Sequence, residues 1–451
     1  MDSMKDFAWG VATAAFQIEG VKNGKDKGLD VWEVFTHEPD RIYGRHNADV
    51  ACDHYNKYKE DIALMRELGI NSYRFSISWS RIFPDGIGRV SEDGVRFYSD
   101  LIDELLRNGI EPYVTLFHWD YPYALYRKGG WLNDESVSWF AEYARKVVEL
   151  YSDRVKYFIT MNEPQCFIGQ GYLEAIHAPG VKLPYRDVFQ MAHNVMKAHG
   201  AAVIAMREAA KGDIKIGYAP TCSANYPATD SPEDIEAARR SFFACPDLDE
   251  YVMWSVAWWS DPVMLGKYPE DGLEKYKDYL PEITEEDMKL MHQPLDFYAQ
   301  NIYNGREIRA GKSGEPEVVE RGADFPKTAI GWPITPKCLY WGPKFLTDRY
   351  GLPFYISENG MGGVDALTED RKIHDNDRIE FLDAYLGELL RAKEDGVDVR
   401  GYFLWTLMDN FEWARGYEPR FGIVYTDYET GERIPKDSAF WYRDFIKNHS
   451  K

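Results

Sequence analysis

The chain has 451 residues, 45% of them hydrophobic and 15% aromatic, including 14 Trp and 31 Tyr, and it carries a net charge of −21. Regular apolar runs at that hydrophobic content exclude a disordered chain and predict a packed globular core. The acidic balance argues against nucleic acid or an anionic membrane as partner, and no stretch approaches the roughly 18 apolar residues of a membrane span.

Taken in chain order, residues 7–13 read as a strand and 55–68 as a helix ending at Gly69. Strand 72–77, helix 94–107 ending at Gly109, and strand 112–117 follow. Helix 136–151 precedes strand 157–160, and a helix within 185–210 precedes strand 214–219. A helical and aromatic stretch, 232–259, leads through a Pro-rich connection to strand 297–302. A charged, hairpin-like insertion (305–324) and helix 336–350 lead to strand 354–357. Helix 377–393 ends before Gly396, strand 399–404 follows, and helix 440–447 closes the chain. Strict strand–helix alternation implies parallel strands, and eight units with no break in composition predict an α/β chain with a single (β/α)8 TIM barrel and elaborated βα loops, one domain over residues 1–451. An open doubly wound sheet would want an early Gly-rich phosphate turn. The only glycine cluster, Gly360-Met361-Gly362-Gly363, comes late and reads as a flexible loop.

Two glutamates stand out. Glu163 ends the run Tyr157-Phe158-Ile159-Thr160-Met161-Asn162-Glu163-Pro164, and Glu358 ends Phe354-Tyr355-Ile356-Ser357-Glu358-Asn359-Gly360. A carboxylate at the exit of a buried strand is expensive unless it is paired or working. Two carboxyls with different pKa values are what cleavage of a glycosidic bond needs. In a (β/α)8 barrel the active site lies at the C-terminal ends of the strands, and other polar residues fall there too. Gln17 and Glu19 follow the first strand, Arg74 lies in the second, and His118-Trp119-Asp120 follows the third. Asn162 stands beside Glu163, Asn301 and Tyr303 end the sixth strand, and Trp405 ends the eighth. Trp119, Trp332, Trp405 and Trp413 sit beside polar residues, where a flat ring can face a sugar.

These motifs resemble glycoside hydrolase family 1, the retaining β-glucosidase and β-galactosidase family, and its bacterial β-glucosidase branch in particular. The resemblance runs from Phe7-Ala8-Trp9-Gly10 through Phe16-Gln17-Ile18-Glu19-Gly20 and Tyr73-Arg74-Phe75-Ser76 to Thr160-Met161-Asn162-Glu163-Pro164. It continues with Ser357-Glu358-Asn359-Gly360 and Leu404-Trp405 and ends at Asp409-Asn410-Phe411-Glu412-Trp413. It implies a TIM barrel with Glu163 as acid/base and Glu358 as nucleophile. Arg74 and the Tyr303 hydroxyl are candidates to keep Glu358 ionised, with Asn301 in support and the carboxyls about 5–5.5 Å apart. Asn162 is implied as binder of the 2-hydroxyl, and Gln17, His118, Trp119, Glu412 and Trp413 as further substrate binders. Trp405 is implied as platform beneath the sugar and Trp332 as the stacking residue for the aglycone. Tyr121 and Pro333 depart from the family pattern and are expected on the outer rim.

The expected substrate is a small-molecule β-glucoside or oligosaccharide such as cellobiose, with galactosides and fucosides left open. A 6-phospho-β-glycosidase is the competing reading, but Glu412 would repel a phosphate dianion and Glu418-Pro419-Arg420 offers no Lys–Tyr pair to hold one. A non-catalytic sugar-binding homologue would usually lack one of the two glutamates, and a thioglucosidase the acid. Two carboxyls suffice for this chemistry, so no metal and no cofactor are expected. The five cysteines (Cys52, Cys166, Cys222, Cys245, Cys338) lack metal-ligand spacing and read as reduced thiols. With no apolar core in residues 1–6, a cytoplasmic location is expected. The oligomeric state, a homo-oligomer included, is left open.

Overall fold

The computed structural model describes residues 4–249 and 251–450. At its centre lie parallel strands β1 Ala8–Ala12, β2 Ser72–Ser76, β3 Glu111–Phe117 and β4 Tyr157–Asn162. They continue as β5 Lys215–Ala219, β6 Phe297–Ile302, β7 Phe354–Asn359 and β8 Val399–Trp405. Each pairs with the next, and β8 returns to β1 with Ala8 opposite Gly401 and Ala12 opposite Trp405, closing a (β/α)8 barrel.

The helices outside it follow from amphipathic sequence. In Glu92–Arg107, Phe97, Tyr98, Leu101, Ile102 and Leu105 recur at helical spacing and are buried against the barrel. Ser91 caps the helix by accepting from the Gly94 N–H, Glu92 and Asp93 face the positive end of its dipole, and Arg107 faces the negative end. Gly109, at φ 72°, lets the chain turn back into β3. Truncating Leu101, which is 1% exposed, would cost about 2–5 kcal/mol.

The barrel floor is aromatic. Tyr113 of β3 stacks on Tyr157 of β4 with ring centroids 4.3 Å apart, and it reaches Phe403 of β8 at 4.8 Å and Tyr355 of β7 at 5.9 Å. Contacts between such distant strands cross the interior, so these rings fill it. Glycines make room for them: a Cβ on Gly217 would sit 2.1 Å from the Phe297 ring, and one on Gly10 2.4 Å from Phe403. Polar groups are thereby confined to the layer above.

The eight predicted strands are all present. The connection from β5 to β6 departs from expectation. The stretch 232–259 is split into helices Pro232–Phe243 and Val256–Leu265. Between them Pro246 has no N–H to give a helix, and Ser255 caps the second one. The Pro-rich connection that follows contains helices Glu270–Tyr276 and Glu285–Met291, the latter opened by a Thr284/Asp287 capping box. The insertion after β6 is a hairpin, with Glu307–Ala310 antiparallel to Pro316–Val318.

The segment after β8 is tied down by buried charge. Lys436 and Asp409 are fully buried and lie 2.7 Å apart. Lys436 also pairs with Asp365, which Arg378 holds at 2.9 Å, and Asp409 takes Arg420 at 2.7 Å and the Gly422 N–H at 2.9 Å. Burial lowers the Lys436 pKa, and the carboxylates oppose that drop. Lys436→Met would leave two carboxylates without their shared cation. We expect it to destabilise the fold by about 3–5 kcal/mol in denaturant titration, whereas Arg443→Met, at an exposed pair with Asp444, should change stability by less than about 1 kcal/mol. Equal effects of the two would show that the network does not hold this segment.

Candidate active site

The C-terminal ends of the strands open on a cavity of about 430 Å³. Of the residues expected there, His118, Trp119, Glu163, Tyr303, Trp332, Glu358, Trp405, Glu412 and Trp413 line it. Gln17, Arg74, Asn162 and Asn301 lie beneath, each at most 1% exposed.

Arg74 organises this layer from β2. Its Nη1 donates to Glu358 Oε1 at 2.7 Å and to the Ser357 carbonyl at 3.0 Å. Its Nη2 donates to Asn162 Oδ1 at 2.6 Å, and its Nε to Thr115 at 3.1 Å. The other Glu358 oxygen accepts from the Tyr303 hydroxyl at 2.8 Å. Glu163 is held differently. Its Oε1 accepts from Asn301 Nδ2 at 2.8 Å and its Oε2 from the Cys166 thiol at 3.3 Å, and no cation among the described residues is in contact with it. Asn301 Nδ2 also reaches Asn162 Oδ1 at 3.0 Å, so one short chain of amides joins the two carboxyl sites through Arg74.

Backbone geometry aims these groups. Three of the nine residues other than glycine at positive φ among the described residues lie here, Trp119 (φ 81°), Glu163 (φ 47°) and Trp413 (φ 48°), a conformation that costs about 1–3 kcal/mol each. The Glu163 N–H is fixed on the Ala219 carbonyl at 2.8 Å, and the Trp119 indole N–H on the Asn162 carbonyl at 3.0 Å. Trp119 therefore offers a ligand its ring, since its N–H is already used. Gly360 is dictated by close approach: a Cβ there would lie 1.8 Å from the Trp405 carbonyl oxygen. That corrects the flexible-loop reading of the late glycine cluster.

Burial raises the pKa of Glu163, with Asn301 and Cys166 opposing. Glu358 is pushed up to about 7 by burial, opposed by Arg74 and reinforced by the Glu163 charge. Glu412 rises to about 8, through burial first and then the charge of Glu358. Burial thus works against the negative charge on Glu412 that the sequence argument against phosphate assumed. Burial and Glu358 raise Tyr303 well above its ordinary value, so it stays a donor. His118 is driven well below its ordinary value by burial and Arg74, so its ring is neutral.

Two buried atoms have no protein partner and face this layer. His118 Nε2 is taken by Asn162 Nδ2 at 3.0 Å, which leaves Nδ1 with the proton and without an acceptor. Gln17 Nε2 donates to the Phe411 carbonyl at 2.7 Å, leaving Oε1 as a free acceptor. A ligand rich in hydroxyls would satisfy both. Trp405 lies 5.8 Å from the His118 ring and Trp413 4.4 Å from Trp119, so indole faces wall the same space. Trp332 packs on Tyr303 at 5.2 Å.

Other residues expected on the rim do not line the cavity. Glu19 is bound by Arg81 at 2.7 Å and Tyr98 at 2.8 Å, outside the cavity lining. Asp120 is buried below the rim, and burial raises its pKa far above the usual carboxylate range. Tyr121, expected on the outer rim, is 4% exposed and packs on Trp79 and Trp131, because its ring completes the apolar layer behind β3. Pro333 pairs with Lys327 in an isolated bridge and is half-buried. Sequence reasoning missed Cys166, Gln170, His177, Thr221, Cys222 and Trp254 on the cavity wall. Cys166 was within reach of it, three residues past Glu163 and therefore about one turn along the helical segment Gln165–Gln170. The others follow from loop paths that no local periodicity encodes.

The glycosyl hydrolase family 1 model matches residues 2–451. The chain is 44% identical over 444 residues to β-glucosidase A of Thermotoga maritima, covering 98% of this chain and 97% of that one. It is 43% identical over 444 residues to the 1,4-β-D-glucan glucohydrolase of Thermotoga neapolitana, with 98% of each covered. The solved structure of the Thermotoga maritima β-glucosidase in complex with glucoimidazole superposes with a TM-score of 0.89 at 44% identity, covering 99% of both chains. Among the described residues no helix is long and apolar enough to cross a membrane, and no group of three or more His, Cys, Asp or Glu is placed to hold a metal.

A carboxyl whose pKa is raised by folding weighs nothing on stability while protonated in both states. Its burden grows as the pH climbs from its ordinary value of 4.5 towards 8. Glu412→Gln is therefore expected to raise the Tm by about 1–3 °C near pH 8.5 and by much less near pH 4.5 in calorimetry. An equal gain at both pH values would rule out its titration as the cause.

Proposed function

The chain belongs to glycosyl hydrolase family 1, and on that premise we propose that it is a retaining β-glucosidase, one catalytic domain over residues 1–451. It releases terminal β-D-glucosyl residues, and β-D-galactosyl or β-D-fucosyl residues, from β-glucosides and short oligosaccharides such as cellobiose. The observation that carries this reading is one cavity holding two carboxyls in opposite settings. Glu358 contacts a guanidinium and a phenol, and Glu163 an amide and a thiol. Contacts that favour the anion suit a nucleophile, and a buried carboxyl without a paired cation suits a proton donor.

In the first step an ionised Glu358 oxygen attacks the anomeric carbon as the bond to the leaving oxygen breaks. Glu163 gives that oxygen its proton, and a glycosyl ester forms on Glu358 with inversion. The Glu358 charge is then gone, so Glu163 holds its negative charge more easily. It takes a proton from water, which attacks the ester carbon from the opposite face and regenerates Glu358 with net retention. Asn162 has a second amide hydrogen for the 2-hydroxyl, His118 Nδ1 and Gln17 Oε1 supply a donor and an acceptor for other hydroxyls, and Glu412 and Trp413 complete that wall. Trp405 supports the sugar face, and Trp332 flanks the leaving group. A cytoplasmic location is supported by five unpaired thiols, which fit a reducing compartment.

Both pKa values are raised, so kcat/KM should follow a bell displaced upward from the ordinary carboxylate range. Its acid limb reports protonation of Glu358 and its basic limb loss of the Glu163 proton. Tyr303→Phe removes a hydrogen bond to the ionised form and should move the acid limb up by about one unit. An unmoved limb would mean that Tyr303 does not hold the nucleophile.

Product stereochemistry tests the assignment itself. Glu358→Ala should lose turnover of nitrophenyl β-glucoside and, with azide in the vacated space, give the α-glucosyl azide after one inversion. Glu163→Ala should still be glycosylated by a dinitrophenyl glucoside, whose leaving group needs no proton, and azide should then give the β-glucosyl azide after two inversions. NMR of the anomeric proton decides, and the opposite pair of products would exchange the two roles.

A further inference from the structure

The two carboxyls differ in what lies on their second oxygen. Glu358 has the Tyr303 hydroxyl there, and Glu163 has the Cys166 thiol, with Sγ 3.3 Å from Oε2. Cys166 is 5% exposed, and the backbone that carries it is fixed at several points. Its N–H donates to the Glu163 carbonyl at 2.9 Å, which ties the start of the segment Gln165–Gln170 to the end of β4. Gln165 is fully buried and clamps that turn to the chain after β5. Its Nε2 donates to the Thr221 carbonyl at 2.9 Å, and its Oε1 accepts from the Thr221 N–H at 3.3 Å. Further along, Gly169 lies against Met253, whose carbonyl takes the Trp259 indole N–H at 2.8 Å.

Other groups face Glu163 from the rest of the barrel. Asn301 of β6 donates to Oε1, and Arg74 of β2 acts by its charge without contact. Thr221 also faces Glu163, but its hydroxyl donates to the Asn301 carbonyl at 3.3 Å. The Tyr303 hydroxyl is committed to Glu358, and the Glu358 and Glu412 carboxyls and the Cys222 thiol complete the surroundings. Burial, and then the charge of Glu163, raises the Cys166 thiol well above its ordinary value, so it keeps its proton and can donate. An S–H is a weak donor. A strong one, such as the guanidinium on Glu358, would hold a carboxyl ionised, whereas a weak one suits a group that must release a proton and take it back. We propose that Cys166 is a positioning residue for the acid/base: its thiol, held against Glu163 Oε2, steadies the carboxylate left when the proton departs and so sets how readily Glu163 gives that proton up. This rests on the acid/base role of Glu163 proposed above and adds the group that tunes it.

The test is the pH profile of kcat/KM in the parent, Cys166→Ala and Cys166→Val, on cellobiose, whose leaving group needs a proton, and on dinitrophenyl β-glucoside, whose leaving group does not. A donor to the ionised form is lost in both variants, so the basic limb on cellobiose should move up by about half a unit to one unit. Glu163 becomes a weaker acid, so on the plateau the ratio of cellobiose to dinitrophenyl glucoside should fall by about two- to threefold, as for a proton half transferred. Valine refills volume that alanine leaves open, so a packing effect would separate the two variants where a lost donor would not. Glu163→Gln should lack the basic limb, and adding Cys166→Ala to it should not move the profile further. An unmoved limb in either variant, or an equal loss on both substrates, would overturn the role of the thiol and leave Glu163 as acid/base. A basic limb that persists in Glu163→Gln would instead sink the acid/base reading, and the proposal with it.

Discussion

A guanidinium can be taken out of water only where its donors are met and its charge is opposed. Arg74 meets that condition with groups on β3, β4 and β7, so its burial depends on those strands standing in register around it. The dependence runs both ways. Glu358 is buried beside other carboxyls and that cation favours its ionised form, and Asn162 is oriented because its oxygen is held by Arg74, which turns its amide hydrogens to His118 and the cavity. Closure of the barrel and readiness of the site are therefore aspects of one constraint. The aromatic floor supports it from below: rings span the interior beneath the polar layer, and the cavity opens at the C-terminal ends of the strands.

Strands and connections divide the remaining work. Groups that must be placed to within a fraction of an ångström stand in the barrel or one residue past a strand end: Arg74, Asn162, Glu163, Asn301 and Glu358. Groups that shape the outer cavity, such as Trp254, Trp332 and Glu412, stand on long connections that need their own anchors. The buried Lys436–Asp409 pair and the Met253 contacts supply two of them. A connection freed from barrel geometry can carry a different aromatic face without disturbing the reacting carboxyls.

This division also decides what was legible in the sequence. The eight strands could be read because each is a short apolar or aromatic run stopped by a turn, and the site could be read because strand ends put their polar residues on one rim. Glu19 and Asp120 broke that rule. Position at a strand end does not say which neighbour claims a side chain, and Arg81, on the short helix Trp79–Ile82 after β2, claims Glu19. Tyr121 misled for the same reason, as an aromatic at a loop is as often packing as lining. The helical character of 232–259 was legible, but the break that carries Trp254 was not, because the connection from β5 to β6 has no single period: capping and Pro246 divide it, and tertiary contacts choose its path.

On the roles proposed above, the same few charges also explain how Glu163 can serve as acid and then as base. Glu163, Glu358 and Glu412 crowd one cavity, and among the described residues the only buried cation in direct contact with any of them is Arg74. With Glu358 ionised, a further negative charge nearby is costly, and Glu163 keeps its proton. An incoming sugar is neutral and displaces water, which strengthens both the Arg74–Glu358 attraction and the penalty on a second anion. Once Glu358 is esterified, Arg74 loses its partner and the penalty on Glu163 becomes an attraction, because a cation now stands unpaired at the other end of the amide chain. No side chain has to move for this reversal. It requires that the two carboxyls share a dry space and that one guanidinium be fixed on the nucleophile's side, and a barrel closed around Arg74 meets both conditions.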